Sequence, residues 1–449
     1  MSAPAAAPAP PTRAPAREIF GWAMFDFANS SFTTVIVTVV FSVVYPRLIV
    51  ADAPDFARGN LLWSLALSVS YGLVVLSAAP LGAIMDFRAA KKRFLFASYV
   101  VTVLATAALW LVGLGDVWLG FALVVVANYG FAVGESFCAS FLPELGPPEL
   151  LGKISGFAWG LGYVGGILCA GLVLFSVGPL SAENFASVRL TGPITAAFFL
   201  VAALPTFALL RERGTPRSLP PGETLLGLGF RRLARTLGEL AAFRDLMLFF
   251  VAVFFAMAGL SIIIAFTFIY GDQVVRWSTR SQMLMFVLTN LTASAGAIGF
   301  GFLQARWGNL KTFNLTLGVW VLAVIAIWGT EPLRGLLNAA LGTAWSTETV
   351  FLGLGCVAGL CLGATQSASR TLVAVFSPDS KAGEFFGLWG LFGKLASIFG
   401  LVSLGALQAW LGLRSAILVC SVFFFAAMVI TAFVREGRGR EAALRHAGE

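Results

Sequence analysis

Stretch after stretch of this sequence runs for roughly 20 residues almost without a charge, the length an α-helix needs to cross a hydrocarbon layer. Phe94 to Gly115, Asp245 to Gly271 and Ser415 to Val434 are examples. No water satisfies backbone N–H and C=O groups inside such a layer, so only helices or closed barrels span it. The apolar runs are continuous rather than alternating with period two, which selects helices. Composition agrees at the point where it decides something. Only 12% of the residues are charged, against about a quarter in soluble domains, so no water-facing surface can be assembled from this chain. Spans are predicted at 20–45, 61–84, 94–114, 117–140, 155–177, 191–210, 246–270, 282–303, 312–329, 349–375, 384–408 and 413–434. The expected fold class is an all-α membrane protein, with twelve transmembrane helices in two six-helix bundles.

An even number of spans puts both termini on one side. With that side assigned as cytoplasmic, only Arg47, Arg58, Arg189, Arg276, Arg280, Arg334 and Arg414 fall on the other side and Lys394 falls within a span, while the rest of the 30 lysines and arginines lie inside. That bias predicts an integral inner-membrane protein with both termini cytoplasmic. Its expected divisions are a flexible tail at 1–18, a six-helix bundle at 19–210, a cytoplasmic linker at 211–244, a second bundle at 245–434 and a basic tail at 435–449. The linker opens with Pro216, Pro220, Pro221 and Gly222. It continues with Leu226, Phe230, Leu233, Leu237 and Leu240 at helical spacing, beside Arg231, Arg232 and Arg235. An amphipathic helix on the anionic inner leaflet is the expectation, with a plain soluble connector as the alternative.

Several function classes drop out. Cys138, Cys169, Cys356, Cys361 and Cys420 all sit in apolar runs and form no CxxC pair, and His446 is the only histidine. A disulfide framework, the usual zinc constellations and histidine catalysis are therefore not expected, nor is any cofactor. No P-loop provides for ATP. The net charge of +8 is concentrated in inner loops and speaks to membrane lipids as partners, not to nucleic acid.

The two halves echo each other. Gly82 to Asp86, followed by Arg88, Lys91, Lys92 and Arg93, closes the second span; Gly301 to Ala305, followed by Arg306 and Lys311, closes the eighth. Pro147 and Gly156 recur as Pro378 and Gly387 at a common offset, which also relates Glu135 to Gln366. Parallel six-helix repeats with a substrate path between them are a carrier architecture.

The GxxxD and basic cluster at Gly82 to Arg93 resembles the signature between helices 2 and 3 of the major facilitator superfamily. More narrowly, Trp22-Ala-Met-Phe-Asp26-Phe-Ala-Asn29-Ser30 resembles the opening signature of the vacuolar amino-acid effluxer-like family. Phe141 to Glu144, Ser155 to Gly166, Gln366 to Arg370 and Glu384 to Lys394 agree with it. The resemblance implies a secondary transporter, with amino acids or related metabolites as the implied substrate class. It also implies a gate in which Asp86, with Arg88, Lys92 and Arg93, pairs with basic groups or with a helix N-terminus across the bundle boundary. In the second copy Ala305 replaces the acid, so the lock is expected on one side only. The glycine-rich fifth span, Gly156 to Gly166, resembles the superfamily's antiporter signature incompletely and leaves symport and antiport open.

Ionisable groups within spans are expensive, which makes each a candidate for function. Asp26, Asn29, Ser30 and Thr33 form one stripe of the first span; a structural cap near its start is the alternative for Asp26. Asn128 and Glu135 share a face of the fourth span, and Glu135 is the expected proton site, permanent pairing with a basic residue being the other reading. Gln366 and Arg370 lie one turn apart on the tenth. Arg370 is expected to bind a substrate carboxylate, to pair with Glu135, or to snorkel to the inner headgroups. Glu384 and Lys394 are expected in gating or structure. The polar groups of the seventh span, Ser261, Thr267 and Tyr270 with Asp272 beyond, are expected to serve as helix–helix contacts.

The function expected from the sequence is a secondary active carrier of a small-molecule substrate, working by alternating access with a proton as coupling ion. The alternative is a transport-inactive membrane scaffold on the same fold. An enzyme is not expected. Oligomeric state stays open, a monomer being compatible with the sequence.

Overall fold

The computed structural model describes residues 13–52, 57–213, 216, 219, 224–225, 227–231 and 243–445. Among these residues eleven helices are long and apolar enough to cross a membrane, and a pair bent by 62° completes a twelfth span. The spans are α1 (Ala16–Val50), α2 (Leu61–Phe87), α3 (Lys91–Leu111), α4 (Val117–Ala139), α5 (Pro148–Val177) and α6 (Phe185–Leu209), then α7 (Arg244–Thr267), α8 (Arg280–Trp307), α9 (Asn309–Trp328), α10 (Thr347–Phe376), α11 (Asp379–Gln408) and α12 (Trp410–Ala416 with Val419–Thr431). In the first bundle α1 packs on α5 and α6, and α4 on α2 and α3; in the second α7 packs on α11 and α12, and α9 on α10 and α12. The bundles meet where α5 lies against α8 and α10, and where α2 and α4 lie against α11.

Several ends differ from the hydropathy reading for local reasons. α5 begins at Pro148, directly after Pro147 in extended backbone, so the helix starts well before its apolar stretch. α11 likewise begins at Asp379, after extended Pro378. Inside the first segment of α12, φ of 71° at Gly412 breaks the helical path, a conformation glycine adopts without a Cβ penalty. Within α1 the turns Thr33–Val39 and Tyr45–Val50 are π-helical. A helix at Thr330–Leu341, between α9 and α10, was not anticipated.

The seam between bundles is tightest on the side that carries the termini. A Cβ at Gly82 would stand 2.1 Å from the Gly383 carbonyl oxygen, and one at Gly156 would stand 2.2 Å from that of Ala297. Backbones approach this closely only where side chains are missing. This conformation is therefore closed toward the termini.

On that same side each bundle is fastened by one repeated device. Glu18 at the start of α1 takes both guanidinium nitrogens of Arg213, at 2.7 and 2.9 Å. The neighbouring Glu212 accepts from the first amides of α3, Lys91 at 3.0 Å and Lys92 at 2.7 Å. Burial raises the Glu212 carboxyl above its ordinary value, with those two amides pulling it down. In the second bundle Asp245 at the start of α7 takes Arg438 at 2.5 and 2.8 Å. Glu436 accepts from the Asn309 side chain at 2.8 Å and the Leu310 amide at 3.0 Å, at the start of α9.

The expected basic tail at 435–449 is consequently a helix, Glu436–Arg445, through the described residues. Its Arg440 reaches Glu149 on α5 at 2.8 Å. The expected tail at 1–18 is also corrected at its end: the Ala14 amide bonds the Leu145 carbonyl at 3.0 Å and α1 starts at Ala16. Residues 1–12 lie outside the described residues. In the linker, a helical segment covers 227–231, with Gly229 against Pro80 and Ile84 of α2. Leu226, Arg232, Leu233, Arg235, Leu237 and Leu240 of the expected amphipathic helix lie outside the described residues.

Candidate functional site

Two ion pairs join the bundles within the spans. The first is centred on Arg370, 1% exposed on α10. Its Nη1 donates to Asp26 Oδ2 of α1 at 2.5 Å, its Nε to Ser155 Oγ of α5 at 3.1 Å, and its Nη2 to the Ser155 carbonyl at 3.0 Å. The guanidinium also lies over the rings of Trp22 at 4.8 Å and Trp159 at 5.3 Å. All of these partners belong to the first bundle. A planar guanidinium suits such a slot, because it donates in a fixed fork and stacks on aromatic faces. Arg370 is thus a bolt from one bundle shot into the other.

The second pair is looser. Lys394 Nζ of α11 stands 3.9 Å from Glu135 Oε2 of α4, with side chains 19% and 24% exposed. The ammonium also faces the Tyr71 ring of α2 at 5.0 Å. A charged pair at this distance and exposure is open to a third polar group. Between the two pairs, Tyr163 of α5 donates its hydroxyl to Gln366 of α10. Trp389 Nε1 donates to Ser369 Oγ at 3.0 Å, and Trp22 Nε1 to the Cys138 carbonyl at 2.8 Å. These bonds hold the large rings in place.

The sequence candidates divide accordingly. Asp26, Glu135, Gln366, Arg370 and Lys394 come together at the bundle boundary. The partner of Arg370 is Asp26, not Glu135, and the partner of Lys394 is Glu135. Asn29 is 6% exposed and Asn128 1%. Asn128 donates to Ser70 Oγ of α2 at 2.5 Å, so it belongs to a contact inside the first bundle. Asp86 meets α11 as a helix N-terminus would be met: its Oδ2 accepts from the Glu384 amide at 3.1 Å. That arrangement places a carboxylate on the positive end of a helix dipole. The basic cluster behaves differently from the expected gate. Arg88 and Arg93 are exposed, and Lys92 donates to the Leu210 carbonyl at 2.7 Å within its own bundle. The buried member is Lys91, bonded to Glu144 at 2.5 Å and to the Ser140 carbonyl at 3.1 Å.

Ser155, Trp22, Trp159, Tyr163 and Tyr71 are site residues that charge counting passed over. Ser155, Trp22 and Tyr163 stand in the quoted signatures, and that proximity to Asp26 and Gly165 was the signal available. Among the described residues no cluster of His, Cys, Asp and Glu could hold a metal ion.

Two six-helix bundles meeting over buried cross-bundle charges define a transporter of the major facilitator fold. Solved structures agree on that fold. The chain superposes on the proton:xylose symporter XylE with a TM-score of 0.71, at 13% identity over 96% of this chain and 98% of that one. It superposes on the human organic anion transporter MFSD10 with a TM-score of 0.70, at 14% identity over 93% and 100%. The model of the family described as "Vacuole effluxer Atg22 like" matches residues 61–444, and the chain belongs to that family. Among relatives, an uncharacterized MFS-type transporter, YxiO of Bacillus subtilis (strain 168), is 27% identical over 92% of this chain and 94% of its own. Autophagy-related protein 22-1 of Penicillium rubens is 23% identical over 65% of this chain, which spans about half of that fungal protein. The chain is an integral membrane secondary transporter and not an enzyme.

Proposed function

We propose that this transporter carries amino acids or closely related zwitterionic metabolites across the inner membrane by alternating access, coupled to protons, with both termini cytoplasmic. The observation that carries the reading is the loose Glu135–Lys394 pair spanning α4 and α11. A zwitterion has one charge for each member: its carboxylate meets the Lys394 ammonium and its amine meets the Glu135 carboxylate. Without substrate the pair satisfies itself, so neither charge is stranded in a low-dielectric site. A proton on Glu135 releases Lys394 and the substrate amine together, which ties the proton to the load.

Arg370 has a different part in this scheme. Held by Asp26 and Ser155, it secures the side closed toward the termini, and opening that side withdraws the guanidinium from the first bundle. The description of the family as effluxers supports transport, the amino-acid class comes from the resemblance of the Trp22–Ser30 signature, and the proton coupling named for XylE is carried over as a proposal on fold alone.

The test is counterflow in proteoliposomes with a pool of labelled amino acids. The unsubstituted chain exchanges label across the membrane. Glu135→Gln, whose amide cannot pair with the substrate amine, exchanges more weakly, and the exchange that remains ignores an imposed pH gradient; Arg370→Ala loses exchange. A Glu135→Gln carrier still driven by the gradient overturns the coupling role. Absence of uptake for every member of the pool overturns the solute class.

A further inference from the structure

The helix Thr330–Leu341 stands apart from the transport path and has two unlike faces. Glu331, Arg334 and Asn338 share one, at spacings of three and four residues. That face is committed to the chain itself. Glu331 accepts from the Thr347 hydroxyl at 2.6 Å and from Arg334 at 3.2 Å, and the Thr347 bond lowers its carboxyl below the ordinary value. Asn338 bonds the Trp345 carbonyl and amide, at 3.0 and 2.9 Å, and the Thr343 hydroxyl at 2.9 Å. Gly342, at φ of 65°, then ends the helix in left-handed backbone. The opposite face carries Leu333, Leu336, Leu337 and Ala340, with Leu336 70% exposed and Ala340 exposed beside it.

Its place in the chain says what covers that face. Only Gly329 separates it from α9, whose Leu322, Ile325 and Trp328 are themselves exposed along the spanning surface. The helix therefore starts at the level where the hydrocarbon ends, on the side opposite the termini. Arg414 marks the same level, donating to the Trp328 carbonyl at 3.3 Å and lying 6.0 Å from that ring. Tryptophan and arginine pairs of this kind sit at the headgroups.

We infer that Thr330–Leu341 lies flat in the headgroup zone of the leaflet opposite the termini, with Leu336 and Ala340 immersed in lipid. The polar face is tied to the loop that leads into α10, so the bilayer surface holds the far end of the helix whose other half carries Gln366 and Arg370. A helix of this amphipathic kind buries its apolar face at the boundary of headgroups and acyl chains.

Spin labels test the immersion in lipid bilayers. Cysteine is placed singly at Leu336, at Ala340 and, as the contrast beside Glu331, at Gly335, where a Cβ meets nothing within 4 Å. The unsubstituted chain serves as blank, because four of its five cysteines are buried. Labels at 336 and 340 relax more with lipid-soluble oxygen than with a water-soluble nickel chelate, and the label at 335 shows the lower oxygen-to-nickel ratio. A ratio at 336 and 340 equal to or below that at 335 places the face in water and overturns the inference. Labels at 336 and 340 shielded from both reagents place it under protein and also overturn it. The readout does not depend on transport, so it stands whatever solute is carried.

Discussion

At the scale of single residues, the account turns on which charges are stranded when a partner is removed. Lys91 and Glu144 have side chains only 5% and 8% exposed. Taking one charge from a buried pair leaves the other unpaired, which costs roughly 3–5 kcal/mol. Lys91→Ala is therefore expected to lower stability by about that amount in a reversible SDS titration; a change under about 1 kcal/mol, the value of a surface pair, would contradict its burial. The identity of such partners is where sequence reading stops. Asp26, Glu135, Arg370 and Lys394 are each conspicuous as charges within apolar runs, but Arg370 and Asp26 are 344 positions apart. Hydropathy and spacing act along one helix, while the choice between Asp26 and Glu135 as partner depends on how two bundles face each other. Trp22, Trp159 and Tyr71 carry no charge and left no such mark.

At the scale of elements, the spans themselves were legible because the requirement for roughly 20 apolar residues is local. What escaped were pieces whose apolar content is modest and whose order comes from bonds to distant chain. The helix Glu436–Arg445 is ordered through Asp245, Asn309 and Leu310, and nothing in its own composition sets it apart from a tail. The twinned use of Glu18, Glu212 and Arg213 in one bundle, and of Asp245, Glu436 and Arg438 in the other, extends the repeat that Gly82 and Gly301 announced. Glycines of α5 serve two neighbours: Gly156 and Gly160 face α8, while Gly162, Gly165 and Gly166 face α1. Overpacking such a contact costs typically 1–3 kcal/mol, so Gly156→Ala is expected to slow exchange about tenfold, each factor of ten being about 1.4 kcal/mol. Gly171→Ala, on the same helix with nothing within 4 Å, leaves exchange unchanged. Equal rates for both variants would show that the α5–α8 seam is not used in the cycle.

At the scale of the whole molecule, the two bundles are joined by three kinds of contact with different strengths. Glycine seams close the side toward the termini, the Arg370 bolt secures it from within, and Arg440 with Glu149 adds an exposed pair at the rim, where side chains are 44% and 58% exposed. Exposed pairs contribute little, so the bolt and the seams dominate. Within the spans, the Glu135–Lys394 pair joins the bundles with both charges partly open. Such a molecule rocks only if the bolt can be drawn, and it couples only if load and proton meet at the same carboxylate. The most direct measurement follows lumenal pH with an enclosed dye while an amino acid is added to proteoliposomes holding the unsubstituted chain or Glu135→Gln. The account predicts that substrate addition moves protons through the unsubstituted chain and not through Glu135→Gln. Substrate movement through the unsubstituted chain with no change in lumenal pH would contradict it.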